Sequence, residues 1–392
     1  MSLAYASTPP GLVSHRDLFE VPRDVAYLNN GSFTPLPRAV RAAGEAGVAA
    51  KSAPWRIDRD ADADHLEVVR ASAGRFVGAA ARDIAVVNAA AYGIATAAAN
   101  LDVGRATRIL MIDGEFPSAA LAWARLAGER GATLDLVPRP VDGDWTAALQ
   151  ERIAAPGLPP VGVAVLTPVV WTDGTLIDLD QLVGPLRAQG AAIVVDATQG
   201  AGVLPLDVAR LGADYLMFPT YKWLLGPYTL AFLYVAPHRQ DGRPLEQHGA
   251  GRVGGAGPFH GTLGPMAPGA ARFDMGQRTN PVGLPMALAG MELLHGWGRD
   301  ALAARLRQTT DALAERAEAA GLSVVPRPLR SPHLLGLRVP AGVSAATVVA
   351  SLEASGVYVA ERGGVIRVSP HIYNDEGDVA RFGAAVGRAM QD

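Results

Sequence analysis

The sequence predicts an α/β protein, with a large lobe on a mostly parallel, seven-stranded sheet and a smaller α+β lobe. Three observations carry this expectation. Seven short, predominantly apolar runs lie between residues 84 and 235; Ala/Leu/Arg-rich stretches with helical spacing separate most of them; and near Gly283 the pattern changes to long helices followed by short strands. A strand with one solvated face would alternate apolar and polar residues, so predominantly apolar runs between helices read as a parallel sheet covered on both faces.

In chain order the runs are Ile84–Val87, Arg108–Asp113, Thr133–Val137, Val161–Val165, Ala191–Asp196, Tyr215–Phe218 and Leu230–Val235. Pro117–Arg130 and Leu179–Gln189 are two of the intervening helices. Beyond Gly283, Leu284–His295 and Asp300–Ala320 read as helices. Ser323–Pro326, Leu334–Val339, Val357–Ala360 and Val365–Val368 read as strands, and Glu376–Met390 as a final helix. The expected organisation is a large domain of residues 25–283 and a small domain of residues 1–24 with 284–392. Gly251–Gly269, rich in Gly and Pro without a period, reads as a long loop of the kind that carries function.

The 392 residues suffice for a large core, and 49% hydrophobic with 19% charged residues is a globular composition. A net charge of −3 without a Lys/Arg-rich run gives no reason to expect a nucleic-acid or membrane-surface partner. The first residues lack the basic-then-apolar order of a secretion signal, and no apolar stretch is long enough to span a bilayer; a cytoplasmic location is expected. The chain contains no cysteine, which removes disulfides, thiolate metal ligands and any thiol nucleophile. No metal site is expected.

Chemistry concentrates in Ala191–Pro227. Asp196 ends an apolar strand, where a carboxylate is costly unless something cationic or hydrogen-bonding meets it, and Gln199 follows on the next turn. Asp196 either caps the following segment or serves a ligand. Lys222 lies between two apolar runs just after the next strand. A lysine there either snorkels to water or is desolvated, and a desolvated lysine is a usable amine nucleophile. The pairing favours the second reading. Pyridoxal phosphate needs a lysine for its aldehyde and a carboxylate that keeps its ring nitrogen protonated.

Four motifs, in order, resemble those of the class V aminotransferases, a family that includes cysteine desulfurases, isopenicillin-N-epimerase-like enzymes and kynureninases. They are Tyr27-Leu28-Asn29-Asn30-Gly31-Ser32, Asp196-Ala197-Thr198-Gln199, Tyr221-Lys222-Trp223-Leu224-Leu225-Gly226-Pro227, and Arg367-Val368-Ser369-Pro370-His371-Ile372-Tyr373-Asn374. The resemblance implies fold type I, pyridoxal 5′-phosphate as cofactor, an amino-acid substrate and a homodimer with shared active sites. It implies that Lys222 forms the Schiff base and removes the substrate α-proton, that Asp196 pairs with the pyridine nitrogen, and that Gln199 bonds the ring hydroxyl. Phe116 stands where desulfurases stack a histidine, and Trp171 about where they place an asparagine near the ring hydroxyl. For the phosphate, the resemblance points to the backbone of Ala90 and Ala91, the hydroxyls of Thr220 and Tyr221, and Arg278 or Thr279 reaching across to the partner subunit. Arg367 matches the arginine that holds the substrate carboxylate, with Arg362 a second candidate. Ser32 and Phe33 are expected on the substrate side; His371 and Tyr373 either join them or are structural.

The departures are as informative. Without a cysteine, desulfurase activity through a protein persulfide is excluded, and the closer likeness is to lyase-like and epimerase-like members. The expected function is a lyase (C–S or other β-elimination) or an epimerase; the alternatives are a transaminase and, from another class, a catalytically silent binding protein of this fold. A nicotinamide dehydrogenase is disfavoured, since no G-x-G-x-x-G follows the first strand.

Overall fold

The structure is a computed structural model describing residues 11–57, 59–255 and 258–391. Residues 1–10 of the expected small domain and 256–257 of the expected loop lie outside the described residues. The strands are β1 (Ala26–Tyr27), β2 (Ile84–Val87), β3 (Arg108–Ile112), β4 (Thr133–Val137), β5 (Val161–Leu166), β6 (Ala192–Asp196), β7 (Tyr215–Pro219), β8 (Ala231–Val235), β9 (Ser323–Val324), β10 (Leu335–Arg338), β11 (Val357–Tyr358), β12 (Ala360–Arg362) and β13 (Val365–Val368). The helices are α1 (Arg38–Lys51), α2 (Arg59–Arg75), α3 (Ala90–Asn100), α4 (Pro117–Arg130), α5 (Trp145–Ala154), α6 (Asp180–Ala188), α7 (Gly283–Trp297), α8 (Arg299–Ala319), α9 (Ala345–Ala354) and α10 (Glu376–Ala389).

The large sheet has seven strands in the order β2-β8-β7-β6-β5-β3-β4. Only β8 runs against its neighbours, β2 and β7; the other pairings are parallel. Successive residues of one strand feed opposite cores. Ile193 and Val195 of β6 belong to one apolar cluster, and Ala192 and Val194 to the other. That two-sided burial is why the inner runs are almost wholly apolar, whereas the edge strand β4 is partly exposed and carries Thr133 and Asp135. Local chemistry sets the helix ends: α4 begins on Pro117 and stops at Gly131 in the left-handed region, and α10 starts from a capping box of Asp375 and Asp378.

The small lobe holds the four-stranded antiparallel sheet β12-β13-β10-β9 with its own core. Its boundary differs from the expected one in two ways. β1 pairs in parallel with β11, and Asn29 bridges Ser369, so residues 26–29 associate with the small-lobe side. Leu284, Met291, Leu302 and Leu306 pack into the large-lobe core, whereas Leu313 and Ala317 pack into the small-lobe core. The two cores therefore part within α8, not at residue 283. A two-residue strand and a helix whose apolar stripe serves both cores leave no composition break to read.

One buried ion cluster ties β2 to the segment that follows the long loop. Arg70 is 1% and Asp274 0% exposed. The guanidinium of Arg70 donates to both Asp274 oxygens, at 2.9 and 2.5 Å, while Val86 N–H and Arg278 donate to the same carboxylate. Replacing Asp274 with alanine leaves the buried Arg70 with only the exposed Glu67 (3.0 Å) as a carboxylate partner, an expected loss of about 3 kcal/mol. Chemical denaturation of the Asp274→Ala protein measures it as a lowered midpoint. No helix among the described residues is long and apolar enough to cross a membrane.

Candidate active site

The expected residues converge where the parallel strands end, the place where open α/β sheets put their ligands. β6 ends on Asp196, β7 leads into Thr220–Lys222, β3 leads through Gly114–Phe116 into α4, and β2 leads through Ala89 into α3.

Lys222 is 9% exposed. Its Nζ lies 5.5 Å from the Tyr221 ring centre and 5.9 Å from that of Phe116. Among the described residues, no hydrogen bond or ion pair engages this amine. Burial pushes its pKa down to about 8; Arg367 and Arg362 push the same way, and Asp196 opposes them. Burial raises the pKa of Asp196, while the Thr198 N–H (2.9 Å) and Lys222 favour its charged form. Glu115, which the sequence reading passed over, sits beside it. Desolvation and the charge of Asp196 push the Glu115 carboxyl up to about 8, although Phe116 N–H donates to it at 2.7 Å.

The lysine loop is gripped from several sides. Asn30 donates to the Lys222 carbonyl (3.3 Å) and Thr34 N–H to that of Tyr221 (3.2 Å). Gln199 accepts from the Trp223 indole (2.7 Å) and donates to Gly31 O (3.1 Å), so it joins the lysine loop to the N-terminal segment and keeps one N–H free. His333, a second residue not singled out from sequence, donates to Gln199 O at 2.6 Å and is fully buried; burial pulls its pKa down to about 3, so the ring is neutral. Helix α7 presses on the same loop through Gly290, where a Cβ would come within 2.6 Å of Leu224 O. Leu225 and Thr229 hold left-handed φ values of 57° and 60°, strain of the sort that packed functional loops retain.

Two guanidiniums face the other end of the site. Arg367, 2% exposed, donates to Ser32 Oγ (2.5 Å) and Trp171 O (2.9 Å), and Arg362 donates to the same Ser32 Oγ (3.1 Å). Neither has a carboxylate within 4.0 Å among the described residues. Burial and the charge of Arg362 bring the Arg367 pKa down to about 9, still cationic at neutral pH.

The remaining candidates divide. Phe116 is 43% exposed and meets Trp171 edge-to-face at 5.2 Å. At the start of α3, Ala89 supplies no capping side chain, which leaves the N–H groups of Ala90 and Ala91 without an intrahelical or cap acceptor. Tyr221 keeps its proton, its pKa pushed up to about 12 by burial and by Tyr228. Thr220, however, is fully buried with its hydroxyl between Pro227 O (2.5 Å) and Leu230 O (3.0 Å), so its single O–H is directed to a backbone carbonyl. The Trp171 indole N–H is likewise taken, by Gly114 O at 3.0 Å; the tryptophan braces Phe116 instead of offering a hydrogen bond to a ring hydroxyl. His371 is 1% exposed, stacked between Trp223 (5.8 Å) and Tyr373 (6.1 Å). Its pKa falls to about 3 through burial and the nearby His333, so the ring is neutral. Arg278 is tied to Asp274 at 2.7 Å, and Thr279 is exposed.

This donor set fits pyridoxal phosphate: a buried amine without a partner, a carboxylate across from it, uncapped helix N–H groups, and a guanidinium pair that lacks an anion. A family model for aminotransferase class-V matches residues 27–382. Among curated proteins the chain is similar to the isopenicillin N epimerase of Streptomyces clavuligerus, 28% identical over 92% of this chain and 94% of that protein. It is also similar to the kynureninase of Deinococcus radiodurans, 31% identical over 68% of this chain and 64% of that protein. Among solved structures, the apo cysteine desulfurase of Thermococcus onnurineus superposes with a TM-score of 0.85 at 20% identity, covering 96% of this chain and 98% of that one. A cystine C–S lyase complexed with cysteine persulfide gives 0.83 at 21% identity, covering 93% and 97%. At these identities the superpositions establish the fold.

Proposed function

Since the chain belongs to the aminotransferase class-V family, whose cofactor is pyridoxal 5′-phosphate, we propose that it acts on an α-amino acid whose α-proton Lys222 removes, as a lyase of the β-eliminating kind or as an epimerase. The observation that carries this reading is the buried, unpartnered Lys222 amine set between Asp196 and the anion-seeking Arg367. Bound, the cofactor supplies an electron sink for the pair left behind when the α-proton departs.

Lys222 would hold the cofactor aldehyde carbon, Asp196 its ring nitrogen, Gln199 the ring hydroxyl through its free N–H, and Phe116 one ring face. The Ala90 and Ala91 N–H groups and the Tyr221 hydroxyl would meet the phosphate, with Arg278 or Thr279 of a second copy completing it in a homodimer. Arg367 grips the substrate carboxylate, and Ser32 keeps that guanidinium aligned. This fixes the α-carbon between Arg367 and Lys222 Nζ, which then takes the proton. Burial matters here because an amine near pH 8 is a far better base at neutrality than one near 10.5. The 392 residues include no cysteine, so the reading excludes sulfur transfer through a protein persulfide. A relative named isopenicillin N epimerase supports the epimerase branch, and the fold shared with a C–S lyase is compatible with the lyase branch.

α-Proton exchange in deuterated water across a panel of amino acids, with product analysis, tests this. Exchange without net product marks an epimerase, release of ammonia and an oxo acid a lyase, and oxo acid with retained amine on the cofactor a transaminase. Exchange with no amino acid leaves the silent binding protein as the better reading. The lysine pKa gives a separate check. Only the neutral amine attacks an aldehyde, so cofactor uptake by the apoprotein rises roughly tenfold per pH unit below about 8 and levels off above it. Stopped-flow absorbance reads this directly; a rise that continues to pH 10 would contradict a desolvated lysine.

A further inference from the structure

Three aromatic rings, Phe33, Tyr221 and Tyr228, cluster beside the site, and the roles assigned above use only the hydroxyl of Tyr221 and none of the three ring faces. Phe33 stacks on Tyr228 at 5.2 Å and 18°, Tyr228 meets Tyr221 edge-on at 4.5 Å, and Phe33 lies 5.7 Å from Tyr221. The three contacts close a triangle. Its corners are fixed to the two points that locate a bound amino acid. Phe33 directly follows Ser32, the hydroxyl that both arginines hold, and its carbonyl is pinned by the Tyr27 hydroxyl at 2.8 Å. Tyr221 directly precedes Lys222 and lies 5.5 Å from its Nζ. Tyr228 bridges them from the turn that Thr229 holds at φ 60°.

Phe33 is 53% and Tyr228 57% exposed. Large rings exposed side by side at a site mouth are costly unless something apolar covers them. From the position between Arg367 and Lys222, the substituent on the α-carbon is the group that reaches these rings. Among the three, only Tyr221 and Tyr228 bring polar atoms, and none brings a charge. The cations of the site, Arg362 and Arg367, are on the carboxylate side.

We infer that Phe33, Tyr221 and Tyr228 form the specificity panel of the site, and that the substrate is an α-amino acid with an uncharged, planar aromatic side chain. The inference rests on the proposed function and refines its substrate class. Planar side chains gain from stacked and edge-on contacts with such rings beyond their area alone, while an acidic side chain would lose its hydration against them with no cation among the three rings to pair with it.

The test uses the cofactor-loaded protein and compares α-proton exchange with phenylalanine, leucine, alanine and aspartate. The expected order puts phenylalanine first, ahead of alanine by about tenfold or more in kcat/KM, with aspartate last. Tyr228→Ala is expected to shrink the phenylalanine-to-alanine ratio by about tenfold, and Tyr228→Phe to retain it, because the ring and not the hydroxyl makes the contact. Calorimetric binding of 3-phenylpropanoate against butanoate gives a readout free of turnover, with the same preference expected and the same loss in Tyr228→Ala. Alanine or aspartate exchanging as fast as phenylalanine overturns the inference while leaving the proposed function intact. An unchanged ratio in Tyr228→Ala overturns it equally. Exchange with no amino acid overturns both together, and exchange retained in Lys222→Ala overturns the proposed function alone.

Discussion

Replacing Lys222 with alanine is expected to lower α-proton exchange by at least about a thousandfold, the upper part of the range for a lost acid–base group. It is also expected to remove the visible absorbance that borohydride reduction abolishes in the parent protein. Both losses follow from one side chain. Its neighbours cannot substitute for it: His371 and His333 are neutral, fully buried and packed around Trp223, and Glu115 and Asp196 are carboxyls that hold no amine. The variant should fold. Lys222 is a buried amine without a hydrogen-bond or ion-pair partner among the described residues, so its removal relieves its own desolvation and the repulsion from Arg367 and Arg362, while Asp196 loses a favourable charge and keeps the Thr198 N–H. Exchange rates by NMR and a denaturation curve on the same preparation separate the outcomes. A Lys222→Ala protein that folds and still exchanges at the parent rate would rule out the lysine as the base.

The large sheet was legible because its physics is local. Most strands are buried on both faces, so Ile84–Val87 or Tyr215–Phe218 announces itself as an unbroken apolar run, and observed bounds differ from expected ones by at most one residue. The small lobe was less legible. Val357–Ala360, expected as one strand, divides into β11 and β12, and β1 consists of two residues whose pairing with β11 bridges more than 300 positions of sequence. Such short pairings are decided by tertiary contact, not by pattern.

The site shows the same division. Residues legible by type and motif, such as Lys222, Asp196 and Arg367, come together. What sequence reasoning missed depends on which hydrogen bonds are already taken. Thr220 and Trp171 carry suitable donors, yet each is committed to a backbone carbonyl, and His371 lies behind Trp223. Glu115 was adjacent to a residue singled out and still overlooked. Nothing in the sequence says that its carboxyl approaches Asp196 across two strand ends. Tyr228 follows a proline in a turn, and only the fold brings its ring against Phe33.

Changing Arg367 to methionine is expected to separate function from stability. On function, the guanidinium is the best-buried donor facing the place of the substrate carboxylate, held by Ser32 Oγ and Trp171 O. Loss of one partner of a buried charge pair costs about 2–4 kcal/mol, so kcat/KM for α-amino acids should fall roughly 30- to 1,000-fold, chiefly through KM. Arg367→Lys should recover little of it, because an ammonium cannot meet both carboxylate oxygens in a plane. Amines that lack the carboxylate should react no more slowly than with the parent, since they never used the clamp. On stability the sign reverses. The Asp274→Ala change strips a buried arginine of its carboxylate, whereas Arg367 has no carboxylate within 4.0 Å among the described residues and sits close enough to Arg362 and Lys222 for mutual repulsion. Its burial cost is therefore already present in the ligand-free protein, and Arg367→Met should unfold at a temperature no lower than the parent. Adding a carboxylate ligand should raise the melting temperature of the parent and leave that of Arg367→Met unmoved. A variant that loses stability and activity together, with the carboxylate shift intact, would make Arg367 a structural arginine and place the substrate carboxylate elsewhere.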